Sequence, residues 1–327
     1  MNRLRPVVLA VLVGFSVLAV YCTYVSIHTI DVETGDVAAQ ASLNQYRQAL
    51  EGVRDFPYQW RLLGIYMVYA GQRLTGAEPH AVDVVLKMVC LAVSTTILFL
   101  FCRFYTSESG ALAAAGFYLL ATIAGFTDQY TIYFTNDYAM IALFFAAVYA
   151  VRQERYVLAA ACTLAGSFAK ETMLLIPVLV GLRFLRGRAR LGDVALTVAA
   201  VLGPTVFLRS IYRAPLGKWA WWDMVFNNVP FLQSNLTAFL TTLKNNAKVF
   251  LIYGVFWAVA ARSIARRSDP FLRDLGIMAV FYLLIAYPVI YIRELRHFLP
   301  LAIVVLPAAL AELERVSAGA CASKPAS

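Results

Sequence analysis

The feature that most narrows the folds open to this chain is a succession of apolar runs, each about as long as a bilayer is thick, separated by short charged breaks. Pro6–His28 is the first. It follows Arg3 and Arg5, is long for the apolar core of a secretory signal, and closes on no small-residue cleavage site. It reads as an uncleaved anchor whose basic end lies in the cytoplasm. Further runs cover about 81–102, 111–127, 133–151, 191–209, 246–265, 274–292 and 297–313. Arg103 and the pair Arg152/Arg155 mark cytoplasmic turns. The region 156–185 is interrupted by Lys170-Glu171 and lies between two basic turns, Arg152/Arg155 and Arg183/Arg186/Arg188/Arg190. With both turns cytoplasmic, the chain must cross twice between them, on segments too short for a full bilayer. Short helices of that kind are tolerated where they line a water-filled cavity, so Lys170 and Glu171 are expected in a recess opening outward. The fold class expected is all-α: a polytopic membrane bundle of roughly ten transmembrane helices. It forms one domain over 1–316 with both termini cytoplasmic, followed by a small, polar tail at 317–327 expected to be disordered.

Composition agrees. Charged residues are 14% of the 327 and hydrophobic ones 61%, with a mean hydropathy of +0.69, whereas a soluble domain carries about a quarter charged residues. The net charge of +9 does not point to nucleic acid, because the arginines sit beside apolar runs. Cys22, Cys90, Cys102 and Cys162 lie in or next to those runs and Cys321 in the tail, with no metal-ligand spacing among them. The Ala- and Arg-rich usage suits a bacterial inner membrane.

The polar segment Thr29–Arg61 stands out against this background. Asp31, Glu33 and Asp36 follow the first helix exit, on the outer side by the alternation of turns. Ala39, Leu43, Tyr46, Leu50 and Val53 recur at alternating four- and three-residue steps, one face of an amphipathic helix lying in the interface. Phe56-Pro57-Tyr58-Gln59-Trp60-Arg61 leads the chain back, and Leu62–Gly76 skims the membrane. Trp60 and Arg61 read equally as lipid head-group anchors or as support for a site. A second outer loop, Ser210–Asn245, carries Trp219, Trp221 and Trp222 at belt depth.

Under this topology the ionisable residues at span ends converge on one outer face. They are Asp31, Glu33 and Asp36; Asp128 and Asp137; Lys170 and Glu171; and Arg293, Glu294, Arg296 and His297. Charged groups at such positions are costly and point to function. Asp137 is either a helix N-cap or a second carboxylate facing the Asp31/Asp36 group, where with Asp36 it could hold a divalent cation. Lys170 and Glu171 pair with each other or a neighbour, or the lysine meets an anionic head group that the glutamate helps to orient. Arg293 and Arg296 share a helix face if the turn is helical, and suit a phosphate or pyrophosphate, the alternative being lipid snorkelling. His297 alone is a weak candidate for a catalytic base.

The polar first loop, the return F-P-Y-Q-W-R-L-L-G, the span start T-N-D-Y, F-A-K-E-T-M-L-L-I-P, and R-E-L-R-H-F-L-P-L together resemble the GT-C superfamily of membrane glycosyltransferases, over nearly the whole chain. The resemblance implies a polyprenyl-phosphate sugar donor and transfer to a glycan, lipid or protein acceptor at the extracytoplasmic face. It implies a first-loop acid as catalytic base or acceptor orienter, here Asp31 or Asp36 with Glu33 behind them, and a second acid at Asp137. Lys170 and Arg296, with Arg293, would meet the lipid-linked phosphate, and Glu171, Glu294, Arg61 and Trp60 would support them. One departure is plain: some members place the acid four residues before a loop tyrosine, and the residue four before Tyr46 is Ser42. Acceptor recognition would fall to the outer loops or to a partner; membrane lipids are also implied, and no nucleic acid. The rival classes are a lipid-linked saccharide polymerase or ligase, a non-catalytic relative, and a transporter. A transporter would show matching halves with broken helices, and no such repeat is visible.

Overall fold

The computed structural model describes residues 5–34, 62–127, 135–211, 252–266, 269–289 and 295–322, with residues 25–34, 127, 209–211, 285–289, 295 and 319–322 as backbone only. Among the described residues every regular element is helical. In chain order they are α1 (Pro6–Thr34), α2 (Leu63–Thr75), α3 (Pro79–Cys102), α4 (Glu108–Thr127), α5 (Thr135–Arg152) and α6 (Tyr156–Ser167). There follow a 3-10 turn at Glu171–Leu174, α7 (Leu175–Leu185), α8 (Leu191–Ile211), α9 (Phe256–Arg266), α10 (Pro270–Val289), a 3-10 segment at Leu295–Leu301, and α11 (Ala302–Ala322). Four stretches are long and apolar enough to cross a membrane by length and composition: Pro6–Tyr24, Pro79–Cys102, Glu108–Phe126 and Leu191–Leu208.

Helix boundaries follow local chemistry. Pro79 occupies the first turn of α3, where its missing N–H costs nothing. Gly76 closes α2 in the left-handed conformation, φ +68°, which a side chain would strain. Asp269 caps α10 by accepting from the N–H groups of Phe271 at 2.7 Å and Leu272 at 3.2 Å. Ser107 caps α4 through the Gly110 N–H at 3.1 Å, and is itself held by Glu314 of α11, whose carboxylate accepts from the Ser107 N–H at 3.0 Å.

α5 is the axis of the bundle. It is apolar all round and buried on nearly every side, as a helix without a polar face must be. α3, α6, α2 and the 3-10 segment at 295–301 pack around it, and α11 buries a continuous stretch, Leu301–Glu312, against α9, α4 and α3. Large apolar side chains face outward instead on the peripheral helices: Val7 and Phe15 of α1, Leu120 of α4, Val206 and Phe207 of α8, Leu284 of α10. A water-facing surface would not carry them so densely.

Asp137 lies in the first turn of α5 and Arg152 in the last, about 22 Å apart along the axis at 1.5 Å per residue. Around Arg152 is the arginine-rich pole. Its guanidinium lies 3.8 Å from Asp269 and donates to the Tyr105 hydroxyl at 3.1 Å, with the Phe104 and Phe271 rings beneath it. Burial, reinforced by nearby Asp269, raises the pKa of that Tyr105 hydroxyl. Asp274, fully buried, holds Arg186 at 2.6 Å and Arg183 at 3.4 Å. These are the basic turns expected on the cytoplasmic side from the alternation of charge.

Several expectations are adjusted. α1 continues to Thr34, so the backbone at Asp31 and Glu33 is helical and not part of a loop after the helix exit. Of the run expected at 246–265, residues 246–251 lie outside the described residues, 252–255 form a turn with Gly254 at φ +50°, and a helix starts at Phe256. α11 runs on to Ala322, into the segment expected as a disordered tail. The amphipathic stretch 39–53 and the tryptophans of the second outer loop lie outside the described residues.

Candidate functional site

The hairpin expected between the two basic turns is present. α6 and α7 have 12 and 11 residues and are joined by a tight turn and a single 3-10 turn. The turn closes through the Ala169 and Lys170 N–H groups, both donating to the Gly166 carbonyl at 2.9 Å. Lys170 itself is extended, φ −165°, ψ 151°, which breaks the helix and leaves its side chain at the hairpin tip. That tip is covered rather than open: Lys170 is 5% exposed, where an outward recess had been expected. Glu171, next to it, is exposed.

Lys170 reaches α5. Its ammonium lies 2.6 Å from Asp137 Oδ1, and Arg296 Nη1 approaches Asp137 Oδ2 at 3.4 Å from the opposite side. His297 completes the cluster, its Nδ1 3.1 Å from Lys170 Nζ. Asp137, Lys170, Arg296 and His297 are 4–8% exposed. Three elements far apart in sequence therefore bring one carboxylate, two permanent cations and an imidazole into one buried group.

The 3-10 segment that carries Arg296 and His297 keeps its irregular geometry for a definable reason. Pro300 has no N–H, so the carbonyl three residues earlier, that of His297, lacks its 3-10 donor. The Tyr282 hydroxyl of α10 supplies it at 2.6 Å, and the Tyr253 hydroxyl supplies the Phe298 carbonyl at 3.1 Å. The carbonyl that Pro300 deprives of its 3-10 donor is thereby satisfied, next to Arg296.

On the other side, the start of α2 joins the two elements that carry Asp137 and Lys170. The Leu63 N–H donates to the Phe168 carbonyl at the hairpin tip at 3.0 Å, and the Gly64 N–H to Asn136 Oδ1 at 2.6 Å. A Cβ at Gly64 would lie 2.6 Å from the Asn136 backbone nitrogen, too close to be tolerated without moving backbone. Gly64→Ala is expected to cost about 1–3 kcal/mol of stability and to separate α2 from α5, read as a lowered unfolding midpoint with the protein still expressed. A second buried carboxylate steadies the same end of α5. Asp83 of α3, fully buried, accepts from the Thr135 hydroxyl and pairs with Lys87 at 2.6 Å.

The geometry assigns the sequence candidates unevenly. Asp137, Lys170 and Arg296 come together. Asp137 does not act as an N-cap; its carboxylate is turned to the cations. An ammonium meets one of its oxygens and a guanidinium the other, and Asp36, the second carboxylate of the expected divalent-cation pair, lies outside the described residues. Among the described residues no group of three His, Cys, Asp or Glu side chains could hold a metal. Lys170 pairs with Asp137. Asp36, Trp60, Arg61, Asp128, Arg293 and Glu294 lie outside the described residues, and Asp31 is described in backbone only. His297 was undervalued as a lone residue, and its signal was adjacency to Arg296. Asp83 and Lys87 were missed, although an Asp and a Lys four apart in an apolar run are a legible pair.

No family model, curated protein or solved structure matches the chain.

Proposed function

We propose that this chain is a membrane glycosyltransferase of GT-C type that moves a sugar from a polyprenyl-phosphate-linked donor to a glycan, lipid or protein acceptor. It would act at the extracytoplasmic face of a bacterial inner membrane, with roughly ten spans and both termini in the cytoplasm. The observation that carries this reading is the pairing of Lys170 and Arg296 about Asp137 at the pole opposite the cytoplasmic arginines. A lipid-linked phosphate lies at that depth, and two cations of different shape suit it: the guanidinium offers a planar fork and the ammonium a point charge. Asp137 holds both in place between turnovers.

In this mechanism the acceptor hydroxyl attacks C1 of the sugar, a first-loop acid takes its proton, and Lys170 and Arg296 stabilise the departing phosphate. Asp36 or Asp31 fills the role of base. A positioned general base contributes about 10²–10⁴-fold in rate. Asp36→Asn and Asp31→Asn, made singly, are expected to leave expression intact while at least one lowers sugar transfer by that factor. Transfer is measured as donor consumption in proteoliposomes supplied with a membrane extract as acceptor source. Full activity in both variants would remove the first-loop acid from the mechanism.

A further inference from the structure

The 3-10 segment at Leu295–Leu301 carries Arg296 through the core, so its carbonyls depend on donors found there. Phe298, Leu299 and Leu301 are at most 3% exposed. Two hydroxyls from outside the segment serve it. Tyr282 of α10 donates to the His297 carbonyl at 2.6 Å. Tyr253, in the turn before α9, donates to the Phe298 carbonyl at 3.1 Å and lies 3.3 Å from that of Leu299. The two tyrosines do different work. In 3-10 geometry the donor to a carbonyl is the N–H three residues on. For Phe298 that is the N–H of Leu301, so Tyr253 adds to a bond the backbone can make itself. For His297 the position is Pro300, so Tyr282 replaces a bond the backbone cannot make.

Arg296 is one residue before that carbonyl. What holds the His297 carbonyl therefore also holds the backbone from which the guanidinium reaches Asp137 at 3.4 Å. α4 lies against the same backbone. A Cβ at Gly125 would stand 3.5 Å from the Arg296 nitrogen and 3.6 Å from its Cα, ordinary contact distances, so segment and helix meet closely there. With Tyr282 reduced to phenylalanine, a buried carbonyl loses its donor, and the segment must turn or shift to find another. A site loosened by about 1 Å loses binding while every residue that makes it is still present.

We propose that Tyr282 is a positioning residue for the donor phosphate. Its hydroxyl stands in for the N–H that Pro300 lacks and fixes the backbone from which Arg296 meets the phosphate, with Tyr253 in a lesser part. This rests on the phosphate-binding reading above, and the role is exerted through the main chain.

Saturable binding of radiolabelled dodecyl phosphate to the full chain in nanodiscs tests it, with the unfolding midpoint of each variant measured alongside. Tyr282→Phe is expected to stay folded and to weaken binding about tenfold, the worth of one hydrogen bond. Tyr253→Phe leaves the Phe298 carbonyl its backbone donor and should weaken binding about threefold or less. Pro300→Ala returns an N–H to position 300, so in that background Tyr282→Phe should cost no more than about twofold. Tyr105→Phe is the control for general loosening: it removes a hydroxyl bonded to Arg152 at the opposite pole and should leave affinity unchanged. If Tyr282→Phe alone does not fold, the double variant must fold and bind within about twofold of Pro300→Ala, and failure of either overturns the inference. If Arg296→Ala weakens binding and Tyr282→Phe does not, the inference fails while the phosphate site stands. The inference also fails if Tyr282→Phe costs the same with and without Pro300→Ala, or if Tyr105→Phe costs as much. If the wild type shows no saturable binding, or binds no better than Arg296→Ala, both the inference and the reading beneath it fall.

Discussion

Asp137→Ala is expected to lower the stability of the folded protein by about 3–5 kcal/mol, the usual consequence of removing one partner from a buried ion pair. Its carboxylate is 6% exposed and lies between an ammonium at 2.6 Å and a guanidinium at 3.4 Å. Without it, Lys170 at the hairpin tip and Arg296 of the 295–301 segment, two buried cations, lose the carboxylate they share. The double variant Asp137→Ala/Lys170→Met should recover part of the loss, because it removes one uncompensated charge and replaces it with an apolar side chain of similar length. Thermal unfolding in detergent reads both. A double variant no more stable than the single one would mean that Lys170 and Asp137 are not energetically coupled.

Asp274→Ala is expected to cost a similar amount, about 3–5 kcal/mol, for the same physical reason at the other pole. Asp274 is fully buried and is the shared anion of Arg183 and Arg186, with Glu154 3.7 Å from Arg183 as a weaker and more exposed partner. The two carboxylates differ in what else they do. Loss of Asp274 should leave phosphate binding at the opposite pole unchanged in the protein that remains folded, whereas loss of Asp137 should impair both. Unfolding midpoints and phosphate affinity measured side by side separate the cases, and an Asp274→Ala protein that folds normally but fails to bind phosphate would contradict the division into a structural and a functional pole.

Much of this was legible in the residues, and the remainder has identifiable reasons. The apolar runs at 81–102, 111–127, 133–151 and 191–209 announce their helices to within a few residues, since length and hydrophobicity fix a span better than propensity does, whereas α1 and α11 continue past the expected ends to Thr34 and Ala322. The hairpin at 156–185 followed from parity of the basic turns, and its short helices are where that reasoning placed them. Asp137, Lys170 and Arg296 were identified one by one, but nothing in sequence spacing says that Asp137 and His297, 33 and 127 positions from Lys170, lie on it. Tertiary packing decides that. The covering of Lys170 was not foreseen either. A charged tip in an apolar hairpin suggests water, and here the carboxylate and imidazole of other helices take the place of water. The tyrosines that hold the 295–301 segment escaped notice because a hydroxyl inside an apolar run looks like core until the carbonyl it serves is known.

The central claim is that Lys170 and Arg296 form a lipid-phosphate site, and equilibrium binding of a radiolabelled polyprenyl phosphate to the purified protein in nanodiscs tests it most directly. A hydrogen bond to a charged group is worth about 1.5–3 kcal/mol, so Lys170→Met and Arg296→Ala should each weaken binding by about ten- to a hundredfold. Arg188→Ala, an exposed arginine at the opposite pole, should bind as the wild type does. Equal affinity in all four proteins would contradict the account.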